Sequence, residues 1–183
     1  MRPGSDLSRA LFLDRDGTLM VDTGYVRDVA KVELLPGVVD GLRAARSLGF
    51  DLVIVSNQSG VARGMISPAE LTAVQTRFEG LLREEGVTLD DVRFCLHGPD
   101  EGCACRKPAP GMLQEAAAAR GIDLRRSVMV GDRDSDVLAG RKAGCTTVLV
   151  GGASSMYADH TVCSFDEVPA ILRAILTGEE PRS

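Results

Sequence analysis

The chain has 183 residues, 44% of them hydrophobic, which is enough for one substantial core and predicts a single domain over residues 1–183. A net charge of -5, without any run of lysines or arginines, excludes a groove for a polynucleotide backbone, whose affinity comes largely from neutralised phosphates. The opening MRPGSDLSRA lacks an apolar signal-like segment and no stretch approaches the roughly 20 apolar residues of a membrane span, so a cytoplasmic protein without nucleic-acid or membrane partners is expected.

Ala10 to Leu13 is too short and too apolar for an amphipathic helix and reads as a buried parallel strand. Its carboxyl end delivers Asp14 and Asp16, and ligands of open α/β sheets bind at that edge. Alternation points both carboxylates to one side while Arg15 faces away, and Gly17 permits a sharp turn before Thr18. Such a pair could divide labour, Asp14 as nucleophile and Asp16 as general acid and then base, or it could hold a hard cation through oxygen ligands. Met20 to Val32 has no clean period and reads as a flap over this site. Pro36 and Gly37 open a helix in which Val38, Val39, Leu42, Ala45 and Leu48 recur at helical spacing, and Asp51 to Val55 follows as a second strand.

Beyond that strand, Ser56, Asn57, Gln58, Ser59 and Gly60 gather hydroxyl, amide and backbone donors suited to an anion, and Arg63 and Gly64 extend the loop. Ser67, Pro68 and Glu70 fit an N-cap, an N1 proline and a capping-box glutamate, opening a helix with Leu71, Val74, Phe78, Leu81 and Leu82 on its buried stripe. After the strand Val92 to Leu96, the pairs Cys95/His97 and Cys103/Cys105 each throw two ligands to one side of an extended backbone. Folded together they predict a closed, structural Cys3His zinc site. Five cysteines is an odd count that suits a metal better than a disulfide framework, and Cys145 and Cys163 are expected as inert core thiols.

Arg106 and Lys107, stiffened by Pro108 and Pro110, are expected to bind phosphate, with a helix from Met112 to Arg120 behind them. The strand Ser127 to Val130 ends in Gly131, Asp132, Arg133, Asp134, Ser135 and Asp136. Asp132 is positioned like Asp14 and is the expected third cation ligand, with Asp136 as an outer helper and Asp134 or Ser135 capping the next helix. Thr146 to Val150 and His160 to Cys163 are the last strands, Val168, Ile171, Leu172 and Ile175 mark a closing helix, and the tail from Thr177 is expected to fray.

The alternation predicts an α/β, Rossmann-like, doubly wound and mostly parallel sheet, with a flap after strand 1 and the zinc-binding loop after strand 3. On one edge of it Asp14, Asp16 and Asp132 would hold Mg2+, and Ser56 and Lys107 would steady a phosphoryl group. No heptad or apolar face demands a partner chain, so a monomer is expected.

DRDGT at Asp14 to Thr18, the hydroxyl of Ser56, Lys107, and GDxxxD at Gly131 to Asp136 match, in order, the four motifs of the haloacid dehalogenase superfamily of phosphohydrolases, which this chain resembles. The resemblance implies an aspartyl-phosphate on Asp14, acid/base work by Asp16, and Mg2+ bound by Asp14, Asp132 and the backbone carbonyl of Asp16. DxGYV at Asp22 to Val26, SNQSGVARG at Ser56 to Gly64 and CACRKPAPGM at Cys103 to Met112 are similar to the zinc-containing D-glycero-D-manno-heptose 1,7-bisphosphate 7-phosphatases, with histidinol-phosphate phosphatases as near relatives. That likeness implies a small phosphorylated sugar as substrate, contacted by Asp22, Thr23, Gly24, Tyr25, Asn57, Gln58, Ser59, Arg106 and Arg133. Leu96 departs from the usual proline of that branch, and the short His97–Cys103 spacing is nearer the histidinol-phosphate enzymes. Alternatives of another class are a phosphoacceptor module or a zinc-stabilised binding module without turnover. A receiver-like module would carry its phosphorylated aspartate after strand 3, where this chain has cysteines.

Overall fold

In the computed structural model, which describes residues 7–178, six short runs rich in apolar and β-branched residues pair into one sheet. They are β1 Arg9–Leu13, β2 Phe50–Asn57, β3 Asp91–Cys95, β4 Val128–Gly131, β5 Thr146–Val150 and β6 His160–Val162. The spatial order is β3-β2-β1-β4-β5-β6 and every pairing is parallel, a wholly parallel version of the expected sheet. Between them run α1 Val38–Ser47, α2 Pro68–Glu84, α3 Gly111–Arg120 and α4 Asp134–Ala143, and α5 Val168–Thr177 follows β6.

Continuous apolar strands need cover on both faces, and the helices divide accordingly. Leu11, Leu13, Leu52, Ile54, Val128 and Val130 meet Val38 and Leu42 of α1, Val74 and Phe78 of α2, and Leu172 of α5. The opposite set, Ala10, Phe12, Val53, Val55 and Met129, packs against Met112, Leu113 and Ala116 of α3 and Ala139 of α4. Winding reverses between β1 and β4, so a crevice opens at their carboxyl ends. There the Asp14 N–H donates to the Val130 carbonyl at 2.9 Å, stitching the two strand ends together.

Several boundaries differ from the sequence reading for identifiable reasons. Ser56 and Asn57 belong to β2 rather than to its loop, because the ladder to β3 continues through Ser56–Phe94 and Asn57–Cys95 beyond the apolar run. Helix α4 is entered from Arg133, not from Asp134 or Ser135: the Asp136 carboxylate reaches back to accept the Arg133 N–H at 3.1 Å, so no later cap is needed. Cys145 is buried, as expected, but Cys163 is exposed just past β6. Thr177 is the last residue of α5 and Gly178 its C-cap, and the tail beyond them, expected to fray, lies outside the described residues. Among the described residues no helix is long and apolar enough to cross a membrane.

The capping box of α2 is formed as the sequence predicts. Ser67 Oγ accepts from the Glu70 N–H at 3.1 Å, and the Glu70 carboxylate accepts from the Ser67 N–H at 2.8 Å. The backbone N–H and then the hydroxyl of Ser67 hold the Glu70 carboxyl below its ordinary value. Replacing Ser67 with alanine is expected to cost about 1 kcal/mol in urea unfolding at neutral pH. A depressed carboxylate stabilises only where it is ionised. The wild-type advantage should therefore persist above the unfolded Glu70 value of 4.5 and shrink as pH falls through the folded one.

Candidate active site

Asp14 leaves β1 directly into the crevice and is 7% exposed. The Lys107 ammonium lies 2.6 Å from Asp14 Oδ1, 2.7 Å from Asp136 Oδ1 and 2.6 Å from the Val55 carbonyl oxygen. Burial pushes the Asp14 carboxyl up to about 7, with Lys107 opposing and the charges of Asp136 and Asp16 adding to the rise. Burial alone would lower Lys107, but Asp14 and Asp136 outweigh it and keep the amine above its ordinary value. Asp132 completes the acidic group and is likewise raised, first by burial and then by Asp136.

Oxygens of Asp14, Asp132 and Asp136 lie within 4.8 Å of one another. Lys107 pairs with Asp14 and Asp136, and Arg133 is shared between Asp132, at 3.7 Å, and Asp22, so these four carboxylates outnumber the two cations, an excess of negative charge on oxygen ligands that fits a hard divalent cation such as Mg2+. The turn after Asp16 is built for this proximity. Gly17 has φ +87°, and a Cβ there would stand 2.4 Å from Asp132 Oδ2.

The crevice opens into a cleft of about 370 Å³ lined by Asp14, Asp16, Ser56, Gln58, Arg106 and Lys107, among others. The flap after β1 forms one wall. It is largely irregular, with a short 3-10 turn at Val29–Lys31; Val26 and Val32 anchor it in the core, and two side-chain hydrogen bonds fasten it beside the cleft. Arg133 Nη2 donates to Asp22 Oδ2 at 2.9 Å, and Arg63 Nη1 donates to the Tyr25 hydroxyl at 3.0 Å. The Tyr25 ring closes over Gly60, where a Cβ would come within 2.6 Å of Cδ1.

Beyond β3 the thiols and imidazole converge as the sequence spacing predicts. Cys95 Sγ lies 3.2 Å from Cys105 Sγ and 3.6 Å from both Cys103 Sγ and His97 Nδ1, and His97 Nδ1 is 3.2 Å from Cys105 Sγ. Sulfurs around a tetrahedral zinc with bonds of about 2.3 Å are about 3.8 Å apart, so this donor set and spacing fit Zn2+ through Nδ1 and three thiolates. Burial, followed by the thiol contacts, pushes Cys95 up to about 12. At Cys103 desolvation works upward, but the Arg106 N–H and the neighbouring thiols outweigh it and bring the thiol down to about 7.

Residues 104–171 match the model of the HAD-hydrolase-like family. The D-glycero-beta-D-manno-heptose-1,7-bisphosphate 7-phosphatase of Yersinia pestis is 38% identical over 179 residues, covering 90% of this chain and 95% of that protein. The chain belongs to the HAD-like phosphatases. The D-glycero-alpha-D-manno-heptose-1,7-bisphosphate 7-phosphatase of Photorhabdus laumondii is 34% identical, with 85% of this chain and 91% of that protein covered. A crystal structure of the D,D-heptose 1,7-bisphosphate phosphatase from B. bronchiseptica, complexed with magnesium and phosphate, superposes with a TM-score of 0.82 at 31% identity, covering 90% of this chain and 98% of that one.

In this HAD-like phosphatase most of the residues expected at the site do line the cleft: Asp14, Asp16, Asp22, Gly24, Tyr25, Ser56, Asn57, Gln58, Ser59, Arg106, Lys107 and Arg133. Thr23 does not, and instead lines a second concavity with Arg27, Lys31 and Met65. The Asp16 carboxylate is not part of the acidic group expected to hold the cation. It is turned toward Arg15 and Gln58, so Asp16 could reach a shared cation only through its backbone carbonyl. Asp136, expected as an outer helper, sits inside that group and touches Lys107.

Two residues expected to touch substrate are committed elsewhere. Asn57 clasps the Lys107 peptide from both sides, Nδ2 donating to its carbonyl and Oδ1 accepting its N–H, each at 3.0 Å. Gln58 Nε2 donates to Asp16 Oδ2 at 2.6 Å and to Ser56 Oγ at 3.0 Å. Gln75 is the residue that sequence reasoning missed altogether. It lies on the buried stripe of α2, where its one-turn offset from Leu71 and Glu79 was the available signal. Replacing Asn57 with alanine should remove two part-buried hydrogen bonds, lowering stability by about 2 kcal/mol in urea unfolding. Phosphatase turnover should fall with it, because Lys107 loses its anchor.

Proposed function

We propose that this phosphatase removes the 7-phosphate of a D-glycero-D-manno-heptose 1,7-bisphosphate by passing the phosphoryl group through Asp14. The observation that carries this reading is the charge layout of the cleft. Lys107 and Asp14 meet at its floor, while on its lining Arg63 and Arg106 have no carboxylate within ion-pair distance among the described residues. Two guanidiniums without counter-charge suit a second phosphate better than the neutral end of a monophosphate. The activities for which the Yersinia pestis and Photorhabdus laumondii relatives are named support the heptose and differ in the anomer.

Asp14 attacks phosphorus as the bond to the sugar oxygen breaks, and that oxygen leaves with the electron pair and takes a proton from Asp16. Asp16, now a carboxylate, then takes a proton from water as the water oxygen attacks phosphorus and Asp14 departs. Ser56 Oγ already accepts from Gln58, so its own proton is free for a phosphoryl oxygen. Lys107 stays against Asp14 and opposes the charge that gathers there. Mg2+ held by Asp14, Asp132 and the Asp16 carbonyl, with Asp136 beside them, would reduce repulsion between the phosphate and the attacking carboxylate. Zn2+ on Cys95, His97, Cys103 and Cys105 would pin the loop that presents Arg106 and Lys107.

Phosphate release with Mg2+ from both anomers of the heptose 1,7-bisphosphate, compared with histidinol phosphate and sugar monophosphates, tests the reading. One bisphosphate anomer is expected to dominate and Asp14→Asn to abolish its turnover. Preference for histidinol phosphate would overturn the sugar assignment. Arg63→Ala and Arg106→Ala should each raise KM for the bisphosphate about tenfold, a loss of about 1.4 kcal/mol, while monophosphates change little. The isolated protein is expected to carry about one zinc per chain, and stripping it with a chelator should lower Tm.

A further inference from the structure

Directly beneath the cleft lies an arginine that does not line it. Arg15 is 1% exposed and heads the largest fully buried side chains among the described residues. Its guanidinium is held on every edge. Nε and Nη2 donate to Asp16 Oδ1 and Oδ2 at 3.2 and 3.0 Å, and Nη1 donates to Gln75 Oε1 at 3.1 Å. Gln75 is fixed in turn by Glu79, which accepts from its Nε2 at 2.9 Å, and the Arg15 Cζ stands 5.4 Å from the centroid of the Phe94 ring. Helix α2 and strand β3 therefore set where this cation points.

A partly exposed carboxylate can be satisfied by water, so a buried guanidinium is not needed to make Asp16 stable. What the pair supplies is orientation. Two parallel N–H···O bonds lock the plane of a carboxylate, and the Gln58 amide at 2.6 Å adds a third contact from the cleft side. A lysine could supply the charge but not the fork. We infer that Arg15 is a positioning residue for the acid/base step, holding the Asp16 carboxyl plane where it exchanges a proton first with the leaving oxygen and then with water. The inference rests on the proposed aspartyl-phosphate route with Asp16 as acid and base.

Leaving-group dependence separates this role from a purely structural one. A sugar alkoxide needs a proton to depart, whereas p-nitrophenolate leaves without one. In the Mg2+-loaded full chain, Arg15→Lys is expected to lower kcat on the sugar phosphate about 100-fold with KM within about twofold. First-turnover release of p-nitrophenolate should stay within about threefold of wild type. A burst of about one equivalent should then precede a slow phase, because phospho-Asp14 now waits for water activation. Gln75→Met, which removes only the outer support, should show the same selectivity at about fivefold, and it decides the matter if Arg15→Lys fails to fold.

Equal losses on both substrates, or no loss, would overturn the inference. The underlying route is checked separately. Asp16→Asn should reproduce the selective loss and Asp14→Asn should remove the burst altogether. A burst surviving in Asp14→Asn, or no selectivity in Asp16→Asn, would refute the route itself and the inference with it.

Discussion

An ammonium buried between Asp14, Asp136 and the Val55 carbonyl is the contact on which the remainder of the site depends. Taking charges out of water costs several kcal/mol per ion, and the cost is met only when every partner is in place. Here the partners come from the end of β1, from within β2 and from the first turn of α4. Asn57, at the end of β2, grips the peptide that carries the ammonium. β1, β2, α4 and the loop that carries Lys107 cannot shift independently without stranding a buried charge. This is why Lys107 and Asp14, 93 positions apart, are held at 2.6 Å.

The same pairing leaves the site short of positive charge. Lys107 and the Arg133 shared with Asp22 cannot balance Asp14, Asp132 and Asp136, and burial first and the neighbouring carboxylates second raise the Asp14 and Asp132 carboxyls. Asp16 is kept out of the acidic group by Arg15 and Gln58, so the two aspartates of the DxD turn face different partners although only one residue separates them. Division of labour between like groups follows from their environments, one pressed against an ammonium and the other against a guanidinium.

The flap and the thiol loop are tied to this framework. The flap is placed by Val26 and Val32 in the core and by Asp22 on Arg133 and Tyr25 on Arg63, residues of the loops after β4 and β2. The thiol loop is gathered by four side chains around one point, and it leads directly into Arg106 and Lys107. Both segments thus end at side chains that line the cleft.

Much of this was legible in the sequence because it is local. Apolar runs and helical periodicity gave the order of strands and helices, Ser67 and Glu70 marked the start of α2, and the cysteine and histidine spacing located a four-ligand cluster. The aspartates, Ser56 and Lys107 could be placed at one sheet edge because parallel strands deliver their carboxyl ends together. Partner choice was not legible, because it is decided by which side chains meet across the fold. Only the tertiary structure placed Asp136 on Lys107, spent Asn57 on a backbone peptide, turned Thr23 out of the cleft and curled Arg15 back under Asp16. Residue type and spacing determine which groups reach the site; the packing of strands and helices around it determines what each group is free to bind.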